Sequence, residues 1–199
     1  MAAEEHYGHH HLHRHEHRSN LHMTHNNPGG YNPAHPTGEL VSVFSEANPN
    51  YRLAVKPDGV VLAFKNRHDP QQQWIKVDMR DKFTDQQGCP GFILINKATG
   101  MALKHGTELG DPVTAELWRP NYLDNSILWS QSSDVGKGYS TIRLVTNITL
   151  NLDADHGDRK HGGIKDGHRL LLHTWTKGEN QKWKMEPVEV EPEPSPYDS

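Results

Sequence analysis

The stretch Asn180-Gln181-Lys182-Trp183 ends a segment that has two counterparts earlier in the chain. These are Gln71-Gln72-Gln73-Trp74 and Ser126-Ile127-Leu128-Trp129, which place the three closing tryptophans 55 and 54 residues apart. Regular spacing of this length is typical of a fold built from repeats, because one such unit cannot bury its apolar face alone. We therefore expect the three closing tryptophans to pack together in one shared core.

Each closing tryptophan follows two further landmarks, a short apolar strand start and then a single aromatic residue. The strand starts are Leu53-Ala54-Val55-Lys56, Met101-Ala102-Leu103-Lys104 and Leu150-Asn151-Leu152-Asp153, and the aromatic residues are Phe64, Trp118 and Trp175. The apolar runs are short and bounded by Gly, Pro, Asn and Asp, which predicts strands. No amphipathic stretch of ten or more residues predicts a helix. The sequence thus indicates an all-β fold with three repeats.

The two ends of the chain differ in composition from its middle. Residues 1–39 hold ten of the 16 histidines and no Val, Ile, Phe or Trp, and residues 186–199 combine four prolines with five acidic side chains. Neither segment can bury enough apolar surface to offset the entropy of ordering, so both are predicted to be disordered. The folded domain is predicted at residues 40–185, which contain all five tryptophans.

Composition also excludes several classes of protein. The single cysteine, Cys89, cannot form an intrachain disulfide, which excludes a disulfide-stapled scaffold and fits a reducing compartment. The polar, His-rich amino terminus lacks the apolar centre of a secretory signal, and no apolar run is long enough to cross a bilayer, so we expect a soluble intracellular protein that does not bind membranes. The net charge of −4 and the lack of a basic stripe argue against nucleic-acid binding.

The repeated phrases resemble a known family. A Gln-x-Trp phrase closing each repeat resembles the ricin B-type β-trefoil, and the full set over residues 40–185 resembles the Euonymus-type lectin domain of plants. A His-rich leader before one such domain is similar to the S3-type members of that family. The resemblance implies a β-trefoil lectin of the cytoplasm and nucleus that binds mannose-containing or galactosylated glycans. It also implies a role in stress response, with no cofactor and no catalytic activity.

Sugar binding requires an aromatic platform for the apolar ring face and fixed polar groups for the hydroxyls. The resemblance implies an Asp after the strand start, a polar residue before the stacking aromatic, and an Asn-Gln pair before the closing tryptophan. In the third repeat these positions hold Asp153, His173, Trp175, Asn180 and Gln181. We expect Asp153 to accept from two hydroxyls, Trp175 to stack on the ring, and Asn180 to donate and accept. Gln181 is expected to hold Asp153 or the loop backbone in place.

The other two repeats lack this set. The first repeat has Lys56 at the predicted Asp position and Phe64 as its aromatic residue, while the second keeps Glu116 and Trp118 but has Lys104 instead of Asp. A lysine donates hydrogen bonds but cannot accept them. We therefore predict one sugar site, in the third repeat.

Two features of the third repeat concern specificity. Residues 154–172 form a longer segment than their counterpart in the first repeat, and we expect this loop to contact further sugars of an oligosaccharide. His173 replaces the Gln that is usual in ricin-type sites. If His173 touches the ligand, affinity should change as the pH falls through about 6.5.

Other functions stay open on the sequence alone. A glycoside hydrolase would need a second carboxylate, from Asp155 or Asp158. A protein-interaction scaffold would use its tails for recruitment and carry a vestigial sugar site.

The histidines raise the question of metal binding. The His-rich leader would chelate transition metals adventitiously, or it could act as a charge switch on protonation. His156, His161, His168 and His173 could form a zinc site with Asp155 or Asp158, but their spacing matches no closed structural motif. No metal is assigned to the sugar site.

Overall fold

A computed structural model describes residues 36–192 and 194–195 of the chain. The sequence predicts that the His-rich leader is disordered. Residues 1–35 of this leader lie outside the described part. Residues 193 and 196–199 of the predicted acidic tail also lie outside it.

Twelve strands in the described residues are arranged as three lobes of four. The first lobe contains β1 (Glu39–Ser45), β2 (Tyr51–Lys56), β3 (Gly59–Phe64) and β4 (Trp74–Asp78). The second contains β5 (Gly91–Asn96), β6 (Met101–Lys104), β7 (Thr114–Leu117) and β8 (Trp129–Gln131). The third contains β9 (Ile142–Leu144), β10 (Leu150–Ala154), β11 (His168–Thr174) and β12 (Trp183–Pro187). Single 3-10 turns at Pro70–Gln72, Asn125–Ile127 and Glu179–Gln181 precede the fourth strands, and a further turn spans Arg159–His161.

The first and fourth strands of the three lobes form an antiparallel barrel. β1 pairs with β12 and β4, β5 pairs with β4 and β8, and β9 pairs with β8. A bridge closes the ring, since Ser140 and Trp183 exchange two backbone hydrogen bonds of 3.0 and 2.8 Å. The second and third strands of each lobe pair as a hairpin. This arrangement is a β-trefoil, as the resemblance implied, and its three lobes are the three repeats that the sequence predicted.

The three closing tryptophans form part of one core. Trp74, Trp129 and Trp183 are 0, 0 and 1% exposed and belong to a single cluster of buried apolar residues. Their indole Nε1 groups donate to the carbonyls of Leu53, Leu103 and Leu152 at 2.9, 3.0 and 2.9 Å. These matching bonds satisfy the polar group of each buried indole. The predicted shared core is confirmed.

The outer strands extend beyond the predicted domain limits. β1 begins at Glu39, and β12 continues through Glu186 and Pro187, because both residues pair with β1. The prediction that the acidic tail is disordered from residue 186 onward was therefore wrong at its start. Among residues 36–192 and 194–195, no helix has the length and apolar character needed to span a membrane.

Candidate functional site

The carboxylate of Asp153 lies near the end of β10 and is held by two amide side chains. Its Oδ1 accepts from Asn180 Nδ2 at 3.1 Å, and its Oδ2 accepts from Gln181 Nε2 at 2.8 Å. Asp153 is 6% exposed. A carboxylate offers about four acceptor positions, so two amide donors leave capacity for further hydrogen bonds. The group can therefore accept hydroxyl protons from a ligand that reaches its exposed edge.

Gln181 connects this carboxylate to both neighbours of Trp175. Its Nε2 also donates to the carbonyl of Thr174 at 2.7 Å, and its Oε1 accepts from the Thr176 N–H at 2.8 Å and from Thr176 Oγ1 at 3.0 Å. Gln181 is completely buried, so it is not free to meet a ligand. The geometry matches the supporting role that the sequence indicated for it.

Asn180 has one acceptor left for a ligand. Its Nδ2 donates to the carbonyl of Ala154 at 3.0 Å as well as to Asp153, which uses both amide hydrogens. The expectation that Asn180 both donates to a sugar and accepts from it is corrected by this arrangement, which leaves only Oδ1.

Trp175 follows β11 directly and is 39% exposed. Trp118, its counterpart in the second lobe, instead packs against the smaller apolar cluster that contains Ile127 and Leu128. An aromatic face can stack on a sugar only if it is open to solvent. Trp175 meets this condition more fully than Trp118, which is partly buried.

Gly178 was missed by the sequence reasoning. A Cβ at residue 178 would lie 2.4 Å from Asn180 Oδ1, so only glycine allows the Asn180 carboxamide to sit where it does. The preceding Lys177 has a φ of 62°, in the left-handed region. A Gly two residues before the Asn-Gln pair is the signal that could have indicated this tight turn.

His173 is partly exposed and lies opposite Asn151 in the hairpin of β10 and β11. Its Nδ1 is 3.0 Å from the carbonyl of Thr174, which assigns the Nδ1 proton and leaves Nε2 for other partners. Burial raises the pKa of Asp153 above its ordinary value of 3.8, while the hydrogen bond from Gln181 and the charge of His173 act in the opposite direction.

The loop beside the site is shorter than predicted. Ala154 belongs to β10 and residues 168–172 belong to β11, so the loop comprises residues 155–167. Within it the rings of His156 and His161 are 4.9 Å apart, and His161 Nδ1 is 2.6 Å from Asp158 Oδ1. No group of three or more His, Cys, Asp or Glu side chains suited to a metal ion occurs in the described part of the chain.

The second lobe has the register that the sequence predicted. The Trp129 indole bonds to Leu103, which makes Lys104 the counterpart of Asp153. Lys104 Nζ donates to Glu116 Oε2 at 2.9 Å. The ammonium is thus paired with the carboxylate, and this lobe lacks the acceptor that the third lobe has.

The first lobe has a different register from the predicted one. Because Trp74 bonds to Leu53, the residue that corresponds to Asp153 is Ala54 and not Lys56. Lys56 instead donates to Asp69 Oδ2 at 2.9 Å and to Gln71 Oε1 at 2.8 Å. A shift of two residues keeps the same face of a strand, so the apolar pattern could not reveal it.

The aromatic position of the first lobe was also wrong, by one residue. Gln72 donates to Phe64 and accepts from Asn66, as Gln181 does with Thr174 and Thr176. Lys65, which lies between Phe64 and Asn66, therefore stands where the third lobe has its exposed tryptophan. Only the third lobe has both a carboxylate and an open aromatic residue at these positions.

No family model matches the chain, but similar proteins are known. The ricin B-like lectin R40G3 of Oryza sativa subsp. japonica is 46% identical over 157 residues, which cover 78% of this chain and 75% of that protein. R40G2 of the same organism is 50% identical over 149 residues, covering 74% and 43%. The ricin B-like lectin EULS3 of Arabidopsis thaliana is 46% identical over 148 residues, covering 74% and 47%. The chain thus spans less than half the length of R40G2 and EULS3.

Solved structures share the fold at low sequence identity. The designed threefold-symmetric protein ThreeFoil has a TM-score of 0.59 and 19% identity, covering 76% of this chain and 99% of its own. A ricin B-like lectin of Macrolepiota procera, solved with lactose, has a TM-score of 0.55 and 16% identity, covering 76% and 96%. At these identities the likeness shows the β-trefoil fold alone. The 46% identity over three quarters of R40G3 confirms the resemblance seen in the sequence, and the chain belongs to the family of ricin B-like lectins.

Proposed function

We propose that the third lobe binds one sugar unit of a glycan and leaves it chemically unchanged. One observation carries this proposal: a carboxylate fixed by two amides is linked, through Gln181, to the segment that presents an open tryptophan face. A pyranose has an apolar face and an edge of hydroxyls, and this pair of groups is complementary to both.

Each side chain has a defined task in the proposed complex. Asp153 accepts from adjacent hydroxyls, and Trp175 stacks on the ring. Asn180 accepts through Oδ1, and His173 contacts the ligand through Nε2. Gln181 acts as a positioning residue. A monosaccharide should bind weakly, with a Kd of about 0.1 to 1 mM, because few atoms contribute and polar groups must first lose water.

The ligand class rests on family likeness. We propose mannose-containing or galactosylated glycans, which the resemblance implies, and the structural neighbour from Macrolepiota procera was solved with the galactoside lactose. The loop of residues 155–167 begins directly after β10, the strand that carries Asp153. We assign to this loop the choice among longer glycans.

Absence of catalysis is also part of the proposal. Glycoside hydrolysis needs two carboxyl groups, one as the general acid and one as the base or nucleophile. Besides Asp153, a free second carboxyl group would therefore be required. In the loop, Asp158 is held by His161 at 2.6 Å, and Asp155 lies 3.6 Å from His156. Chromogenic glycosides at high protein concentration should therefore show no turnover. Turnover that disappears in Asp153→Asn would overturn the proposal in favour of a hydrolase.

A glycan array with wild-type protein and Trp175→Ala tests the binding site. We expect discrete hits that the substitution removes, because an alanine cannot stack on a sugar face. Tyr122→Ala is the matched control, since Tyr122 is an aromatic residue of the second lobe that is 63% exposed. Thermal melting should change by only a few degrees in both variants. Hits that survive in Trp175→Ala would contradict the site, and a lack of any hits would favour the interaction scaffold.

We further propose that the protein acts in the cytoplasm and nucleus, in stress response, as similar plant lectins suggest. The single free cysteine supports a reducing compartment. Imaging of a fluorescent fusion in plant cells, before and after stress, tests both statements. Accumulation in the secretory pathway would contradict the location.

A further inference from the structure

A groove of about 460 Å³ lies in the first lobe, outside the candidate sugar site. Three cationic side chains line it, from Arg52 on β2 and from Lys65 and Arg67 after β3. Glu186 and Glu189, near the carboxyl end of the described residues, also line it. The groove thus combines a cationic side with acidic groups supplied by the chain itself.

Arg52 is the most enclosed of the three cations. Its guanidinium carbon lies 4.0 Å from the centre of the Phe44 ring, and its side chain is 17% exposed. Nη1 is buried and has no hydrogen-bond acceptor, because the nearest carboxylate oxygen, Oε2 of Glu186, is 3.7 Å away. Loss of water lowers the pKa of Arg52 below its ordinary value, with Glu186 acting in the opposite direction. This cation therefore lacks acceptors that a guanidinium normally finds.

The other two cationic side chains, those of Lys65 and Arg67, can take a new anionic partner. Lys65 has no ion pair with another described residue, and it stands where the third lobe presents Trp175 to its ligand. Arg67 pairs with Glu191 at 2.9 Å, but both side chains are more than 70% exposed. An exposed ion pair of this kind contributes little to stability, so an incoming anion could replace the glutamate.

We propose that this groove binds a sulfate or phosphate ester group, with Arg52, Lys65 and Arg67 as its donors. Residues 186–191 act as an internal competitor, since their glutamates already approach two of the three cations. A carboxylate has two oxygens and leaves Arg52 Nη1 without a partner. A sulfate or phosphate ester presents three terminal oxygens and can serve three donors at once. A free sulfate or phosphate ion has four oxygens of the same kind, so the same donors can hold either the free ion or an ester group carried on a sugar.

Isothermal titration of the full chain tests the site. The probes are inorganic sulfate, inorganic phosphate and galactose 6-sulfate, with neutral galactose for comparison, at an ionic strength held constant with sodium chloride. We expect the oxyanions to bind and to bind more weakly as salt is raised, because screening shortens the reach of the three charges. Equal affinity for sulfate and for galactose 6-sulfate assigns the site to the free ion. Tighter binding of the ester assigns it to a sugar-borne group.

Substitutions distinguish oxyanion binding in this groove from binding to other cationic parts of the surface. Lys65→Met should weaken oxyanion binding about tenfold, the loss expected for one charge-assisted hydrogen bond, and adding Arg67→Gln should abolish it. Glu189→Gln should tighten it, since one competing charge is removed. Lys82→Met is the matched control, because Lys82 is exposed and lies outside the groove. Unchanged binding in Lys65→Met, or an equal loss in Lys82→Met, would overturn the proposal.

Trp175→Ala keeps the two sites distinct. This variant should bind oxyanions as the wild type does, even though it has lost its neutral glycan ligands. A parallel loss of oxyanion binding would place the anion in the third lobe and refute the groove.

Discussion

Asp153 meets two opposing requirements, because it must be fixed in position and yet carry a charge. Burial beneath Asn180 and Gln181 fixes the carboxylate, and the same burial makes ionisation more costly. The hydrogen bond from Gln181 and the charge of His173 recover part of this cost, but the pKa stays above its ordinary value. The native protein therefore binds this proton more readily than the unfolded chain does. Ionising Asp153 therefore lowers the stability of the folded protein. The contribution of Asp153 to the free energy of unfolding increases as the pH falls from the pKa in the folded protein to the pKa in the unfolded chain.

Sugar affinity should fall in acid at a pH above the ordinary Asp value of 3.8. Both oxygens of the ionised carboxylate accept hydrogen bonds, so it can accept from two hydroxyls. In the protonated form one oxygen carries the proton and acts as a donor instead. Once the pH is below the pKa in the folded protein, affinity should drop about tenfold per pH unit. Titration of affinity between pH 8 and pH 3.5 measures this loss.

His173→Gln separates the imidazole from the carboxylate. The loss of sugar affinity in acid should occur at a higher pH in the variant, because the charge of His173 lowers the pKa of Asp153. Wild-type affinity that is flat from pH 8 to pH 5 would remove His173 from the site.

The turn between β11 and the last 3-10 turn positions the binding groups as a unit. Thr176 bonds to Gln181, Lys177 takes a left-handed conformation, and Gly178 makes room for the Asn180 carboxamide. Short local contacts therefore determine where the Asn-Gln pair lies relative to Asp153.

Gly178→Ala should reduce glycan affinity by about tenfold or more, because the new methyl group displaces Asn180 Oδ1 and so loosens Asp153. The backbone at residue 178 has a φ of −71°, which alanine adopts readily, so the effect is steric. We expect a loss of stability of about 1 to 3 kcal/mol from the forced shift. Calorimetric titration and urea unfolding measure the two effects.

Gly106→Ala provides a comparable clash elsewhere, since its Cβ would lie 2.0 Å from Asp111 Oδ2 in the second lobe. This control should lose stability and keep its glycan affinity. If both variants kept full affinity, Asn180 would have no part in holding the site.

The sequence predicted strands well and predicted their exact pairing less well. The apolar runs and their Gly, Pro and Asp boundaries indicated most strands, because period and turn chemistry are local properties. Ala54 and Lys65 were missed because register depends on which carbonyl the buried indole of Trp74 reaches, a contact across 21 residues. The tight packing at Gly178 is likewise a three-dimensional property.

The threefold repetition of the whole molecule could be predicted from the sequence. Some features that occur in one lobe and not in the others, such as the groove in the first lobe, could not be predicted. The spacing of the closing tryptophans indicated three β repeats, the resemblance to ricin B-type proteins implied the β-trefoil, and the intact polar set indicated the third lobe as the candidate site. The first-lobe groove escaped detection because its cations come from β2 and from the segment after β3, while its acids come from β12 and from the residues that follow it. Such groups meet only when the barrel closes and brings the two ends of the domain together.

The lobes are joined by a buried ion pair, which predicts a large effect of one substitution. Arg143 on β9 donates to Asp85, between β4 and β5, at 3.1 Å, and their side chains are 8 and 0% exposed. Burial alone would raise the pKa of Asp85, but the Ser130 hydroxyl, two backbone N–H groups and Arg143 together outweigh it and lower the pKa. The stabilisation from Asp85 is therefore present above its ordinary pKa of 3.8 and is lost as the pH falls through the lowered value.

Arg143→Met should lower the free energy of unfolding at pH 7 by about 3 to 5 kcal/mol, because it leaves a buried carboxylate without its cation. The deficit should shrink as the pH approaches 4, where the stranded carboxyl becomes protonated and no longer needs a counter-charge. Arg80→Met is the control, since Arg80 and Asp78 form a pair that is 65 and 50% exposed, worth about 0 to 1 kcal/mol. Urea unfolding at both pH values measures the difference. A deficit equal to that of the control, or one that grows in acid, would mean that Arg143 does not hold the two lobes together through its charge.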